Sequence, residues 1–148
     1  WWQADAPADE RTGIMTDENP SIISHVSIGT NRFDEATAFY DKVVATIGAK
    51  RIMEHPGAVA YGTLFPEFWV QTPHDGGTAG TANGVHFSFF ATSKEQVDAF
   101  YKAALDAGAK DDGAAGPRSD YGAGYYGCFV YDLDGHKIEA MHWDESAG

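Results

Sequence analysis

His25-Val26-Ser27-Ile28 and His86-Phe87-Ser88-Phe89 are the two stretches on which the reading of this chain turns. Each is followed at the same distance by the same tripeptide, Ala38-Phe39-Tyr40 after the first and Ala99-Phe100-Tyr101 after the second. The copies are offset by 61 residues in both places (86 − 25, and 99 − 38). Asp34 and Glu95 keep that offset, and Gly48-Ala49-Lys50 returns one residue early as Gly108-Ala109-Lys110. His, Ser, Ala-Phe-Tyr and Gly-Ala-Lys recurring in one order marks a duplicated supersecondary unit. The reading is module one at residues 21–75, a linker at 76–82, module two at 83–143 and a tail at 144–148.

The residues around the repeat fill in each unit. Ile22 to Ile28 is β-branched and alternating, as a half-buried strand requires. Phe33, Ala36, Phe39, Tyr40, Val43 and Val44 then recur at helical spacing, with Asn31 or Asp34 as candidate caps and Gly48 as the stop. Strands are expected near Ala49–Glu54, Val59–Phe65 and Phe68–Thr72. In the second copy Val85–Phe90 is the strand. Ser93 caps a helix whose Gln96 sits at capping-box spacing. Strands near Lys110–Asp112, Tyr125–Asp132 and Lys137–Trp143 follow, the last two joined by an Asp134-Gly135 turn. Each unit is β-α-β-β-β and too short for a good core alone. The expected fold is α+β, with two such modules forming a curled mixed sheet around a cleft.

Composition narrows the partners. Of 148 residues, 10 are Lys or Arg and 22 are Asp or Glu, a net charge of −12 with His neutral. Nucleic acid and anionic membrane surfaces both call for a basic face, so neither is an expected partner. The single cysteine, Cys128, permits no intrachain disulfide and reads as a small core residue. No apolar run approaches the ~18 residues that span a bilayer, and a cytoplasmic location is the expectation. Residues 1–20, with no signal-peptide pattern, read as a flexible N-terminal arm, a cloning remnant or processed tail, Met15 being a candidate original start.

Chemistry gathers where the repeats coincide. His25 and His86 hold matched positions. Glu139 alternates with Ile138 and Ala140 on the last strand, and a carboxylate so flanked calls for a partner. Two imidazoles and a carboxylate are a usual ligand set for a divalent metal with open positions. Counting from the hairpin turns nominates Gln71 as a fourth ligand, while Trp69 lies on the same strand face and competes for that position. Arg118, Tyr121, Tyr125 and Tyr126 lie in a Tyr- and Gly-rich loop expected at the mouth of the cleft, able to stack on a small ligand or hold its carboxylate or phosphate. Gly122 to Gly127 matches G-x-G-x-x-G, but it precedes a strand instead of opening a helix, which excludes dinucleotide binding. His55, His74 and His136 sit at turns or in the linker and are given structural roles; His142 is one strand step from Glu139.

The paired units, the strand His in each and the Asp132-Leu133-Asp134-Gly135-His136-Lys137-Ile138-Glu139 ending resemble the vicinal oxygen chelate superfamily. That superfamily includes glyoxalase I, bleomycin-resistance proteins, fosfomycin-resistance enzymes, methylmalonyl-CoA epimerase and extradiol dioxygenases. Phe68-Trp69, Pro73-His74-Asp75-Gly76 and Tyr121 to Tyr126 are similar to motifs of its small bacterial glyoxalase-like members. The resemblance implies that His25, His86 and Glu139 hold a divalent ion, with Zn, Ni, Mn, Co and Fe undistinguished. It implies a lyase or isomerase acting on a small substrate with vicinal oxygens by metal-stabilised enediolate chemistry, Glu139 serving as ligand and base. The alternative is an antibiotic-binding protein of the bleomycin-resistance type, without catalysis, whose acidic surface suits a cationic drug. Thiol transfer to fosfomycin ranks lower, for want of basic residues, and extradiol cleavage lowest. A homodimer is compatible with either leading reading.

Overall fold

A computed structural model describes residues 21–147; the arm expected at 1–20 and Gly148 lie outside the described residues. Module one runs β1 (Val26–Gly29), α1 (Phe33–Ala45), β2 (Lys50–His55), β3 (Ala58–Gly62) and β4 (Phe68–Gln71). Module two runs β5 (His86–Phe90), α2 (Lys94–Asp106), β6 (Lys110–Pro117), β7 (Tyr125–Tyr131) and β8 (Lys137–Trp143). Each module is one four-stranded mixed sheet, in the orders β1-β4-β3-β2 and β5-β8-β7-β6. In both, the first strand lies parallel to the last and the remaining pairs are antiparallel.

The repeated residues explain the repeated form. Gly48 and Gly108 end the helices with φ of 81° and 104°, a left-handed turn that favours glycine. The N–H of the following alanine then reaches back in each copy, Ala49 to Val44 O and Ala109 to Ala104 O. Ser93 caps α2 through a 3.1 Å bond from Gln96 N, and Gln96 Oε1 takes the Thr92 N–H in return. At α1 neither expected cap serves: the N-cap is Arg32, without a side-chain bond. Asn31 instead binds the linker, its side chain exchanging two hydrogen bonds with the backbone of Ala79.

Three strands differ in extent from the sequence reading, and one of them, β3, stops at Gly62 where Phe65 was expected. β1 begins only at Val26, whose N–H bonds Glu67 O, because the Glu67 N–H that a longer ladder would use donates to Tyr61 O instead. His25 therefore precedes its strand while His86 opens β5. β6 runs on through Gly113 and Gly116 to Pro117, with register shifts at both glycines. It is the outer strand of its sheet, where bulges and proline are tolerated.

Both helices and one face of each sheet share a single core. Phe39, Tyr40, Val43, Phe68 and Val70 of module one meet Phe100, Cys128, Val130 and Ile138 of module two. Phe68 packs its ring 5.0 Å from that of Phe89 across the seam. Neither module could bury this face alone. A polar latch fixes the seam at one end. Asp134, in the β7–β8 turn, accepts from Thr30 Oγ1 and from Asn31 N. Asp132 beside it accepts a 2.6 Å bond from the buried Tyr40 hydroxyl. His136 Nε2 donates to Gly29 O at 2.7 Å. The opposite faces of the two sheets carry Trp69 and Glu139.

Candidate functional site

Strand alternation puts Ile138 and Ala140 into the core and leaves Glu139 on the open face of the second sheet. Ser88 of β5 and Phe129 of β7 are its cross-strand neighbours. His86, two residues before Ser88, leans over the same face. Its Nε2 lies 3.1 Å from Glu139 Oε1. Tyr125, at the start of β7, donates from its hydroxyl to Glu139 Oε2 at 2.6 Å. Burial, and then the hydrogen bond to Glu139, push the Tyr125 hydroxyl well above the ordinary tyrosine value, so it remains a donor. Glu139 is 7% exposed, yet both its oxygens have partners, which satisfies a carboxylate in that position.

The surroundings are aromatic and basic. Phe129 lies between Arg118 and Lys137, whose cationic groups stand 5.9 and 5.0 Å from its ring centre. Lys137 is paired with Asp112 at 3.1 Å. Tyr121 meets Tyr125 edge to face, 5.0 Å between rings, and is itself exposed. A cavity of about 670 Å³ opens beside His86 at the latched end of the seam, lined by Ser27, Gly29, His86, Tyr131, His136 and residues 80–85, from the linker into the start of module two. Its size is ordinary for a small-molecule site.

Several expected residues take other places. Tyr126 points to the helix side of β7 and bonds Asp98 at 2.7 Å, away from Glu139, because adjacent strand residues face opposite ways. The Arg118 guanidinium binds the carbonyls of Ala114, Gly116 and Pro117, buttressing bulged β6, and is not held out as an anion clamp. Register assigns the counterpart of Glu139 in module one to Trp69, not Gln71: Trp69 lies opposite Ser27 as Glu139 lies opposite Ser88. Counting from the turns misplaced it by two residues, because it matched Glu67 to Gly135, whereas the offset of 70 between Trp69 and Glu139 matches Phe65 to Gly135. Trp69 is buried and stacks on His55. Gln71 lies a strand step on, opposite Gly29, in a shallow hollow with Ser27, Pro73 and Asp75.

His25 does not join His86 and Glu139 within one chain. Among the described residues no three His, Cys, Asp or Glu side chains form a metal-holding group. The fit to a divalent ion is therefore half a site per chain. The 3.1 Å between His86 Nε2 and Glu139 Oε1 suits two adjacent ligands on one ion with bonds of ~2.0–2.2 Å, but two donors alone make an incomplete set. Sequence reasoning missed Phe129 and the latch residues Thr30, Asn31, Asp132 and Asp134. Asp134 had been read only as a turn former, and its contacts lie more than 100 residues away in sequence. His142 bonds Ala91 O, and Cys128 is fully buried with its thiol pushed up to about 11 by burial.

Two four-stranded β-α-β-β-β sheets around one core, with His and Glu on an open face, define a paired-module protein of the glyoxalase class. The sequence model of the Glyoxalase/Bleomycin resistance protein/Dioxygenase superfamily matches residues 22–140, and the chain belongs to that superfamily. A glyoxalase/bleomycin resistance protein from Albidiferax ferrireducens T118 is similar at 31% identity and a TM-score of 0.77, over 84% of this chain and all of that one. At lower identity, the fold is shared with a glyoxalase/bleomycin resistance protein/dioxygenase family enzyme from Burkholderia phytofirmans PsJN (20% identity, TM-score 0.63, 82% and 98% of the chains). It is also shared with a genomically encoded fosfomycin resistance protein from Listeria monocytogenes (16%, TM-score 0.61, 86% and 97%). No curated protein matches the chain. Among the described residues no helix is long and apolar enough to cross a membrane.

Proposed function

We propose that this chain is a glyoxalase-like lyase or isomerase acting on a small substrate with vicinal oxygens, and that its site is completed between two copies of the chain. The observation that carries this reading is the His86–Glu139 contact, a two-donor half-site on an open sheet face. His25 of a second copy, exposed and just ahead of β1, is the third donor. A divalent ion held by the three would withdraw charge from the two substrate oxygens. Zn, Ni, Mn, Co and Fe all accept such ligands. Glu139 takes the proton from the carbon that bears the substrate hydroxyl; the C–H pair forms a C=C bond and the carbonyl pair moves onto its oxygen. Return of the proton to the former carbonyl carbon, with the hydroxyl proton passing to the alkoxide oxygen, completes an isomerisation. Tyr125 holds Oε2, so Oε1, on the His86 side, is the atom that would ligate the ion and that serves as base once the substrate oxygens take its place. The cavity beside His86 is the substrate's place.

The test is metal content. Purified protein, stripped and then reconstituted with each ion, is expected to hold about one ion per chain and to sediment as a dimer. A protein that stays metal-free under all five ions sinks the proposal. The binding-only reading, sequestration of a cationic antibiotic, draws support from the net charge of −12. Drug binding that is unchanged in His86→Ala favours it over the enzyme.

A further inference from the structure

The internal repeat gives the seam between the modules two equivalent ends, and the two have diverged. At one end Ser27, Ile28 and Gly29 face the β7–β8 turn. At the other end their repeat counterparts Ser88, Phe89 and Phe90 face the β3–β4 turn. The first end is closed by the Asp134 carboxylate on Thr30 and Asn31. The corresponding residues of module two are Ala91 and Thr92, and the Thr92 N–H is already taken by Gln96. No equivalent latch forms there. What remains is a separate cavity of about 340 Å³.

Its walls are unlike those of the first. Val44, Ile47, Tyr61, Phe89 and Phe90 make them apolar and aromatic, and Glu67 is the sole charged residue of the lining. Glu67 is exposed at the cavity's edge, accepts from the Thr63 N–H, and has no cation within ion-pair distance among the described residues. Burial pushes its carboxyl above the ordinary value. Phe90, at the mouth, is 85% exposed although it is a large apolar side chain. A carboxylate set on an apolar, aromatic wall with no cation paired to it is a place for a cation on an apolar body. A protonated amine would pair with it, and aromatic faces beside it add cation–π attraction. An anionic ligand would meet repulsion from Glu67 and from the chain as a whole.

We infer that this second cavity binds a small molecule with a protonated amine on an apolar body, Glu67 being its counter-ion. The inference does not rest on the metal reading, because no residue of the half-site lines this cavity.

The experiment titrates the full-length protein with 2-phenylethylammonium, with 3-phenylpropionate and with neutral 2-phenylethanol, followed by amide chemical shifts. The expected result is saturable one-to-one binding of the amine, with shifts at Gly62, Thr63, Phe89 and Phe90. Affinity should fall at least tenfold in Glu67→Gln and several-fold in Phe90→Ser, with the propionate not binding. Glu67→Gln changes an exposed side chain and leaves the core intact, so a loss reads on the contact itself. Equal affinity for the amine and the alcohol, or an unchanged affinity in Glu67→Gln, overturns the proposal. Shifts confined to His86 and Glu139, or none at all, overturn it as well.

Discussion

The Tyr125 hydroxyl donates to Glu139 Oε2 at 2.6 Å while His86 stands at 3.1 Å from Oε1, so one carboxylate is held from both sides on an otherwise open sheet face. Tyr125→Phe removes one of those holds without changing the ring. A buried acceptor that loses its donor costs about 1–3 kcal/mol, so the variant should unfold at lower denaturant concentration with an unchanged m-value. Metal affinity should fall with it, because Glu139 is then free to rotate. Equilibrium urea unfolding and a competitive metal titration read the two effects separately.

A shared site makes a prediction about mixtures. His25→Ala and Glu139→Gln should each hold little metal alone. Unfolded together and refolded, half of the dimers are mixed, and each mixed dimer regains one intact site of two. Metal retention should therefore recover to about a quarter of wild type. Recovery to no more than the mean of the two variants would place each site within one chain.

The latch should matter more than its position on a turn implies. Asp134→Ala strips an acceptor from Thr30 and Asn31 across the seam. A loss of about 1–3 kcal/mol is expected, well above the ±0.5 kcal/mol usual for surface changes. Thermal denaturation against Glu145→Ala, in the C-terminal 3-10 turn, provides the comparison.

Alkaline pH should destabilise the fold. Burial, and then Asp132, hold the Tyr40 hydroxyl well above its ordinary value of 10.0, and Tyr61 is raised by burial and by Asp41. The folded state thus keeps protons that the unfolded chain releases near pH 10. This contribution is complete below pH 10 and is lost as pH rises above it. Melting temperatures from pH 8 to 11.5 should fall above 10, and Tyr61→Phe should fall less steeply.

The fold was legible because duplication writes the same physical instructions twice. Ala-Phe-Tyr on each helix and Gly-Ala at each helix end fix one unit, and the unit's size demands a partner. Glu139 was legible by alternation alone. Facing was lost where the register was not known: Tyr126 is adjacent to Tyr125 yet opposite in direction, and Trp69 takes the place expected for Gln71 because the matched turn residues are two positions out of step. Arg118 reads as a free charge in sequence, but β6 bulges and its carbonyls capture the guanidinium. The separation of His25 from Glu139 depends on how two modules dock, which no local pattern encodes.

The pairing of each first strand with its module's last strand sets an order for synthesis. β5 leaves the ribosome more than 40 residues before β8, and it has no sheet partner until β8 arrives. Module one can pair its four strands while module two is still being made, but its core face stays uncovered until then. The second sheet, and with it the contact between His86 and Glu139, waits for residues 137–143. A nascent chain released even a few residues short of Glu139 would therefore carry a paired first sheet, an incomplete core and no site.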